Sequence, residues 1–346
     1  MKKLKQVVGI DVGSKELVVC FGKIFSNLDK KLCQYGNFRN SDKGLIKLYE
    51  WVQIHTCEDS PLHFVMEATG VYHEKLAYFL ESKGCNISIV LPNKISNYFR
   101  TLEIKTITDS TCSEAITLFG LERNLELWRK PDPTYKRLKQ LTRERDQLVQ
   151  ERTAVKNQLH AEQAEAEPNE NSIGRIKERI AVLQRQEKEI MTELKLIVKE
   201  SSLLKKQTDN LTTIPGIGLL TAVTVLAETN GFEMIRNKKQ LVSYAGLDIK
   251  EKQSGTSIQS KPTISKRGNR YLRKSLHLPA LAAIRHDEHY SNTFTRLVSR
   301  NGIKMKAAVA VQRKLLELMF IIYKNEQRYD PQYHLQKYQN EKVDTN

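Results

Sequence analysis

The sequence predicts an α/β N-terminal domain, then an antiparallel coiled-coil arm, then an all-α C-terminal domain. Three observations carry the prediction. Over the first 130 residues short apolar runs alternate with a helix-period segment, which favours a sheet with helices packed on it. From about Pro133 apolar residues recur at heptad steps inside a highly charged stretch. From Leu211 to about Asn325 the spacing stays helical and basic residues accumulate. At 346 residues the chain is also too long for one ordinary domain. The expected units are residues 1–130, 131–210 and 211–326, followed by a polar tail at 327–346.

In the first unit Val7-Val8-Gly9-Ile10 runs into Asp11, and Leu17 to Phe21 follows a Gly-Ser turn, which predicts a β-hairpin. His63 to Met66 reads as a strand ending at Glu67. A helix pattern from about Tyr72 to Lys83 leads into a strand at Asn86 to Leu91, stopped by Pro92. In the arm, Leu141, Leu148 and Val155 lie seven apart, with Leu138 and Leu159 on the other seam. After Glu167-Pro168-Asn169-Glu170-Asn171 a second register runs through Ile176, Ile180, Leu183, Ile190, Leu194 and Ile197, interrupted by Glu187. Two opposed helices make a hairpin from this pattern; one long surface helix is the alternative. The tail from Gln327 has no periodicity, the pattern of a poorly ordered end.

Charge narrows the function. With 56 Lys+Arg against 40 Asp+Glu the net charge is +16, so the partner is a polyanion, either nucleic acid or an anionic membrane surface. No apolar run approaches the roughly 20 residues needed to span a bilayer, and Met1 to Gln6 leads into a strand rather than a signal segment. The five cysteines fall between Cys20 and Cys112 with no CxxC pair, which reads as reduced thiols in a cytosol. Nucleic acid is therefore the leading partner. Between Lys252 and Lys274 there are seven Lys/Arg and no acid. Lys261, Lys266, Arg267, Arg270, Arg273 and Lys274 are the expected phosphate contacts there.

Three acids of the first unit sit where strands or turns end: Asp11, Glu67 and Asp109. An acid within the strand-like Gly9-Ile10-Asp11-Val12-Gly13 is costly to bury without a compensating cation. Carboxylate-held metal ions supply one, stabilising the attacking and leaving oxygens of a phosphodiester displacement, and hard Mg²⁺ favours such oxygen ligands. A plainer reading has Asp11 opening a turn and Glu67 capping a helix. A third notes that actin-like kinases and ATPases open on a similar hairpin. Further on, Pro215-Gly216-Ile217-Gly218 precedes a helix, either as a backbone-phosphate loop of helix-hairpin-helix type or as an ordinary turn. Gln253-Ser254-Gly255-Thr256 lies just before the basic run. There Ser254 is either a hydroxyl able to approach a phosphate or simply a loop residue.

These segments together resemble the IS110 family of bacterial insertion-sequence transposases. Val8-Gly9-Ile10-Asp11-Val12-Gly13, Met66-Glu67-Ala68-Thr69-Gly70-Val71-Tyr72 and the block around Asn93-Lys94, Lys105, Thr108-Asp109 and Leu118-Phe119-Gly120 are similar to its N-terminal motifs. Ile214-Pro215-Gly216-Ile217-Gly218, Ser243-Tyr244-Ala245-Gly246-Leu247, Ser254-Gly255, Ile264-Ser265-Lys266-Arg267-Gly268-Asn269 and Arg313-Lys314-Leu315-Leu316 resemble its C-terminal ones. The likeness runs from about residue 5 to residue 325. It implies a RuvC/RNase H-like DEDD domain in which Asp11, Glu67 and Asp109 hold Mg²⁺, and a C-terminal domain whose Ser254 attacks a DNA phosphodiester to form a phosphoserine link. The two must then meet in space. It implies donor and target duplex DNA and a structured guide RNA as partners, a dimer or tetramer, and a place at the bacterial nucleoid.

One position departs from the pattern. The third block of the family reads Thr-Asp-x-x-Asp, and Cys112 stands at the last Asp. Glu114 is the nearest acid, but on a helix it lies roughly 200° around from position 112, and a thiol is a poor ligand for Mg²⁺. The site is left with three acids, with Glu114 reaching in, or impaired. Two rivals remain: a RuvC-like nuclease that uses metal-activated water with no serine step, and a decayed nucleic-acid-binding copy.

Overall fold

The computed structural model describes residues 3–57, 60–68, 70–102, 104–233, 235–251, 253–254, 258–259 and 263–331. Two units divide the chain between Lys130 and Pro131.

Unit 1 is built on a five-stranded sheet with the order β3-β2-β1-β4-β5. Its strands are β1 (Lys3–Val12), β2 (Glu16–Phe25), β3 (Lys30–Arg39), β4 (Leu62–Glu67) and β5 (Asn86–Val90). The first three form an antiparallel meander, whereas β4 and β5 run parallel to β1, each reached by a helical crossover or connection. Its helices are α1 (Asp42–His55), α2 (Glu74–Ser82), α3 (Pro92–Phe99) and α4 (Asp109–Glu122). Strand period two splits the apolar residues between two faces. Val8, Ile10, Phe64 and Met66 pack with Leu45, Leu48, Leu76 and Leu80 of α1 and α2. Val7 and Val65 pack with Ile95, Tyr98, Ile116 and Phe119 of α3 and α4. Strand β3 and helices α1 and α3 were not expected from the sequence. Pro92 does more than end a strand: it is the first residue of α3, where its missing N–H costs nothing.

Unit 2 begins with two 31-residue helices, α5 (Pro133–Gln163) and α6 (Glu170–Glu200). Asp132 and Asn169 cap their N-termini through side-chain oxygens. The pair runs antiparallel, because Arg137 bonds Glu193 while Arg145 bonds Glu187 and Arg179 bonds Gln158. Glu187, which breaks the apolar seam, is held by Arg145 at 2.6 Å and also by Arg152. Helices α7 (Ser202–Leu211), α8 (Leu219–Glu228), α9 (Lys238–Ala245), α10 (Arg270–Ser275), α11 (His277–His286), α12 (Glu288–Asn301) and α13 (Lys304–Asn325) follow. Among the described residues between α9 and α10 are the two-residue strands β6 (Ile249–Lys250), β7 (Gln253–Ser254), β8 (Ile258–Gln259) and β9 (Thr263–Ile264).

One core joins the root of the helical pair to the later helices. Leu138, Leu141, Ile190, Leu194 and Ile197 share it with Leu204, Leu211, Leu226, Val311 and Leu315. The boundary expected at residue 210 therefore falls inside a continuous core, at the end of α7. The loose end expected from Gln327 is also corrected for residues 327–331. Tyr329 donates its N–H to Thr213 Oγ1 at 2.8 Å and its hydroxyl to Asp287 Oδ2 at 2.8 Å. Residues 332–346 lie outside the described residues. None of the five cysteines is in a disulfide, and no described helix is long and apolar enough to cross a membrane.

Candidate active site

Asp11 and Glu67 are brought together by strand register. Strands β1 and β4 are parallel with Ile10 opposite Met66, so the next residue of each, Asp11 and Glu67, emerges at the same carboxyl edge of the sheet. Both lie on the face covered by α4, in phase with Val7 and Val65. Carboxyl ends of parallel strands are where open α/β sheets place their ligands.

Helix α4 brings the third acid. Gly9 lets the helix lie on β1: a Cβ there would stand 2.2 Å from Thr117 Oγ1 and 2.7 Å from the Ser113 carbonyl oxygen. Gly120 makes the same allowance further along, against Val7 and Val65. Thr117 then donates its hydroxyl to the Cys20 carbonyl at 3.0 Å, fixing the helix along its length. Ser113, Thr117 and Gly120 thus face the sheet, and one turn earlier on the same face of α4 lies Asp109. A capping box holds this end, with Thr108 Oγ1 accepting from the Thr111 N–H and Thr111 Oγ1 from the Thr108 N–H.

The electrostatics agree with that placement. Burial raises the Asp11 carboxyl above its ordinary value and the Asp109 charge raises it further, partly offset by the Val12 N–H. Burial and then the Asp11 charge raise Glu67. Cys112 is pushed up to about 11, first by burial and then by Asp11, Glu67 and Asp109 in turn. Cys112 therefore stands among the three acids, as a neutral thiol near pH 7. Glu114 acts elsewhere: after burial, its charge adds to the upward shifts of Cys20 and of Tyr35 on β3.

Carboxylates at one sheet edge, with Asp11 and Glu67 holding their protons more tightly, suit a hard divalent cation by their donor chemistry. Among the described residues, however, no three His, Cys, Asp or Glu side chains close into a ready-made cluster.

Unit 2 holds the other expected residues. Ser254 is the last residue of β7, paired with Ile258 of β8; its side chain, Lys261 and Gly255 lie outside the described residues. The excursion that carries it is closed at its base. Strands β6 and β9 pair Ile249 with Ile264, and Ser265 donates its hydroxyl to Asp248 at 2.5 Å. Gly246, at φ +67°, and Gly268 pack backbone to backbone: a Cβ on Gly268 would stand 2.5 Å from the Tyr244 oxygen.

The basic run divides. Lys266, Arg267 and Arg270 are exposed. Arg273 is spent on the Ala245 carbonyl at 2.7 Å, and Lys274 is paired with Asp146 of α5. Those two expected phosphate contacts are thus engaged within the unit. Of the turn glycines, Gly218 caps α8 in open space, whereas Gly216, at φ +85°, packs on α11 with the Pro279 oxygen 2.5 Å from where a Cβ would be. Its glycine is required by that packing. His277, the histidine nearest Ser254 in sequence, is in contact with Gln312 at 3.0 Å.

Sequence reasoning missed a buried network. Glu228, whose side chain has 0% exposure, receives Arg143 at 2.7 and 2.9 Å and Asn269 at 2.6 Å. Tyr244 donates to the Glu228 carbonyl at 2.9 Å, and Arg143 stacks 4.5 Å from the Tyr271 ring. The network ties α5 to the loop bearing Arg267. Its one sequence signal is an acid at the end of the apolar run Leu219–Ala227.

Residues 8–163 match the model of the IS110-type DEDD transposase domain, and residues 208–296 match that of the "Transposase IS116/IS110/IS902 family". The chain is 28% identical to the "Pilin gene-inverting protein" of Moraxella lacunata over 95% of its own length and 99% of that protein. It is 28% identical to the "Transposase for insertion sequence element IS1111A" of Coxiella burnetii over 40% of this chain and 37% of that one. Among solved structures, T. thermophilus RuvC in complex with Holliday junction substrate matches 36% of this chain and 99% of its own, at 13% identity and a TM-score of 0.26.

Proposed function

We propose a mechanism for a chain that belongs to the IS116/IS110/IS902 transposase family and is thereby a DNA recombinase. The observation that supports it is that strand register brings Asp11 and Glu67 to one edge of the unit 1 sheet, with Asp109 at the start of α4 close enough for its charge to act on Asp11. These three carboxylates would hold Mg²⁺, which when bound neutralises the charge developing on phosphate oxygens. Ser254 is the nucleophile: its Oγ forms a bond to phosphorus as the bond to one bridging sugar oxygen breaks. The serine proton leaves to a base or solvent, and the departing oxygen gains a proton to become a free hydroxyl. Energy of the phosphodiester is kept in the phosphoserine link for rejoining. Lys266, Arg267 and Arg270 bind the DNA phosphates.

A guide RNA that selects donor and target DNA, and assembly into a dimer or tetramer through the α5–α6 arm, belong to the same reading. Its test is recombination between donor and target plasmids with Mg²⁺ and guide RNA supplied. Asp11→Asn, Glu67→Gln and Ser254→Ala should each abolish strand exchange while leaving DNA affinity nearly unchanged, and double variants should add nothing. Full exchange by Ser254→Ala would move the mechanism to metal-activated water.

One observation favours a second reading. Cys112 stands among the acids where the family carries a fourth, which would suit a copy that binds nucleic acid without cutting it.

A further inference from the structure

The carboxyl edge of the unit 1 sheet carries more than acids. Val71 is 70% exposed, Tyr72 47%, Leu91 57% and Ile107 73%. All four sit on segments that leave this edge: the turn after β4, the residue after β5, and the approach to α4. Ile107 occupies the position before the Thr108 cap, from which an apolar side chain ordinarily folds back onto the first turn; here it stays out in solvent. Tyr72 is held in place from behind. Asn40 Nδ2 donates both to the Gly13 oxygen at 3.0 Å and to the Tyr72 oxygen at 3.1 Å, fastening this turn beside the β1–β2 turn that follows Asp11 by two residues. Gly70, at φ +55°, bends the chain between Glu67 and the ring. Exposed Lys105 stands on the approach to α4, exposed Lys15 on the β1–β2 turn and exposed Lys94 in the first turn of α3.

Large exposed apolar side chains around an acidic centre, with cations beside them, suit neither a closed core nor an intact duplex. A paired duplex turns its phosphates outward and its base faces inward, so it offers these residues nothing to cover them. A splayed strand offers both base faces and phosphates, which aromatic side chains and lysines bind together. We propose that this edge is a docking surface for an unpaired stretch of the DNA strand being cut, with Tyr72 stacking on a base next to the scissile phosphate. The inference rests on the reading of Asp11, Glu67 and Asp109 as the cutting centre and adds the form of DNA it accepts.

The test measures the affinity of the full-length chain, carrying Asp11→Asn to stop cleavage, for two duplexes of equal length and charge. One is fully paired and the other has a two-nucleotide bubble containing 2-aminopurine. Because both present the same phosphates, their affinity ratio cancels the contribution of the basic surface in unit 2. The bubble should bind about 5- to 150-fold more tightly, the span of one base on an aromatic ring, and its 2-aminopurine fluorescence should be quenched. Adding Tyr72→Ala should bring the ratio close to one and restore the fluorescence, whereas Tyr72→Phe should keep both effects. A wild-type ratio near one, an unchanged ratio in Tyr72→Ala, or the same preference for single-stranded RNA but not for DNA overturns the assignment. Cleavage assays on the Asp11 and Tyr72 single variants separate the two failures. Cutting that survives Asp11→Asn retires the reading of the acids; cutting abolished in Asp11→Asn with the bubble preference intact in Tyr72→Ala retires the docking surface alone.

Discussion

Removing the Arg143 guanidinium is the most direct perturbation of the unit 2 scaffold. The Glu228 carboxylate has no solvent exposure and accepts two bonds from Arg143, at 2.7 and 2.9 Å. In Arg143→Ala it keeps, among the described residues, Asn269 at 2.6 Å and Lys139 at 4.0 Å. Breaking a buried pair while leaving its partner charged costs about 3–5 kcal/mol. Arg143 itself is 38% exposed and Lys139 can move closer, so about 3 kcal/mol is expected. In a unit of this size each kcal/mol lowers the melting point by about 2–4 °C, giving a fall of roughly 6–12 °C. Differential scanning calorimetry of the full chain measures it. Glu228→Gln should cost less, because the amide leaves Arg143 able to turn to water. The double variant should lose less than the sum, since each change removes the same pair. A fall below 1 °C in Arg143→Ala, or strict additivity in the double variant, would refute the reasoning.

Three further outcomes follow from the sites. Cys112→Asp replaces a neutral thiol by a fourth carboxylate, so half-maximal cleavage should need less Mg²⁺; a parent chain that cuts nothing until this change is made would place it with the decayed copies. Asp11 and Glu67 hold their protons more tightly folded than unfolded, so their ionisation costs stability as pH rises from the ordinary carboxylate range through the raised values. Without metal, Asp11→Asn should therefore melt higher than the parent at pH 8 but not at pH 3, and added Mg²⁺ should raise the melting point of the parent only. Finally, Arg267→Ala with Arg270→Ala should lower the log–log salt slope of duplex binding by about 1.8, about 0.9 for each phosphate that the variant no longer neutralises; an unchanged slope would remove that surface from the interface.

The shared edge of Asp11 and Glu67 was legible because strand chemistry is local. Asp11 follows an apolar run and Glu67 ends one, and period two alone puts Gly9 and Asp11 on one face. Edge strand β3 was not legible, because Lys30–Arg39 is largely exposed and shows no apolar alternation. The surroundings of position 112 needed three dimensions: only the packing of α4 on Gly9 sets Cys112 under the charges of Asp11, Glu67 and Asp109. The Glu228 network was hidden for a different reason, since its partners lie 85 and 41 residues away along the chain. Composition likewise placed Arg273 and Lys274 with the other cations, and only their bonding partners separate them.

The central claim is that Ser254 takes the DNA phosphate onto itself. Its most direct measurement is to incubate the chain with labelled DNA, Mg²⁺ and guide RNA, denature, and ask whether label travels with the protein. A labelled adduct that yields phosphoserine on digestion is expected, absent from both Ser254→Ala and Asp11→Asn. Cut DNA with no adduct, or an adduct that persists in Ser254→Ala, would contradict it.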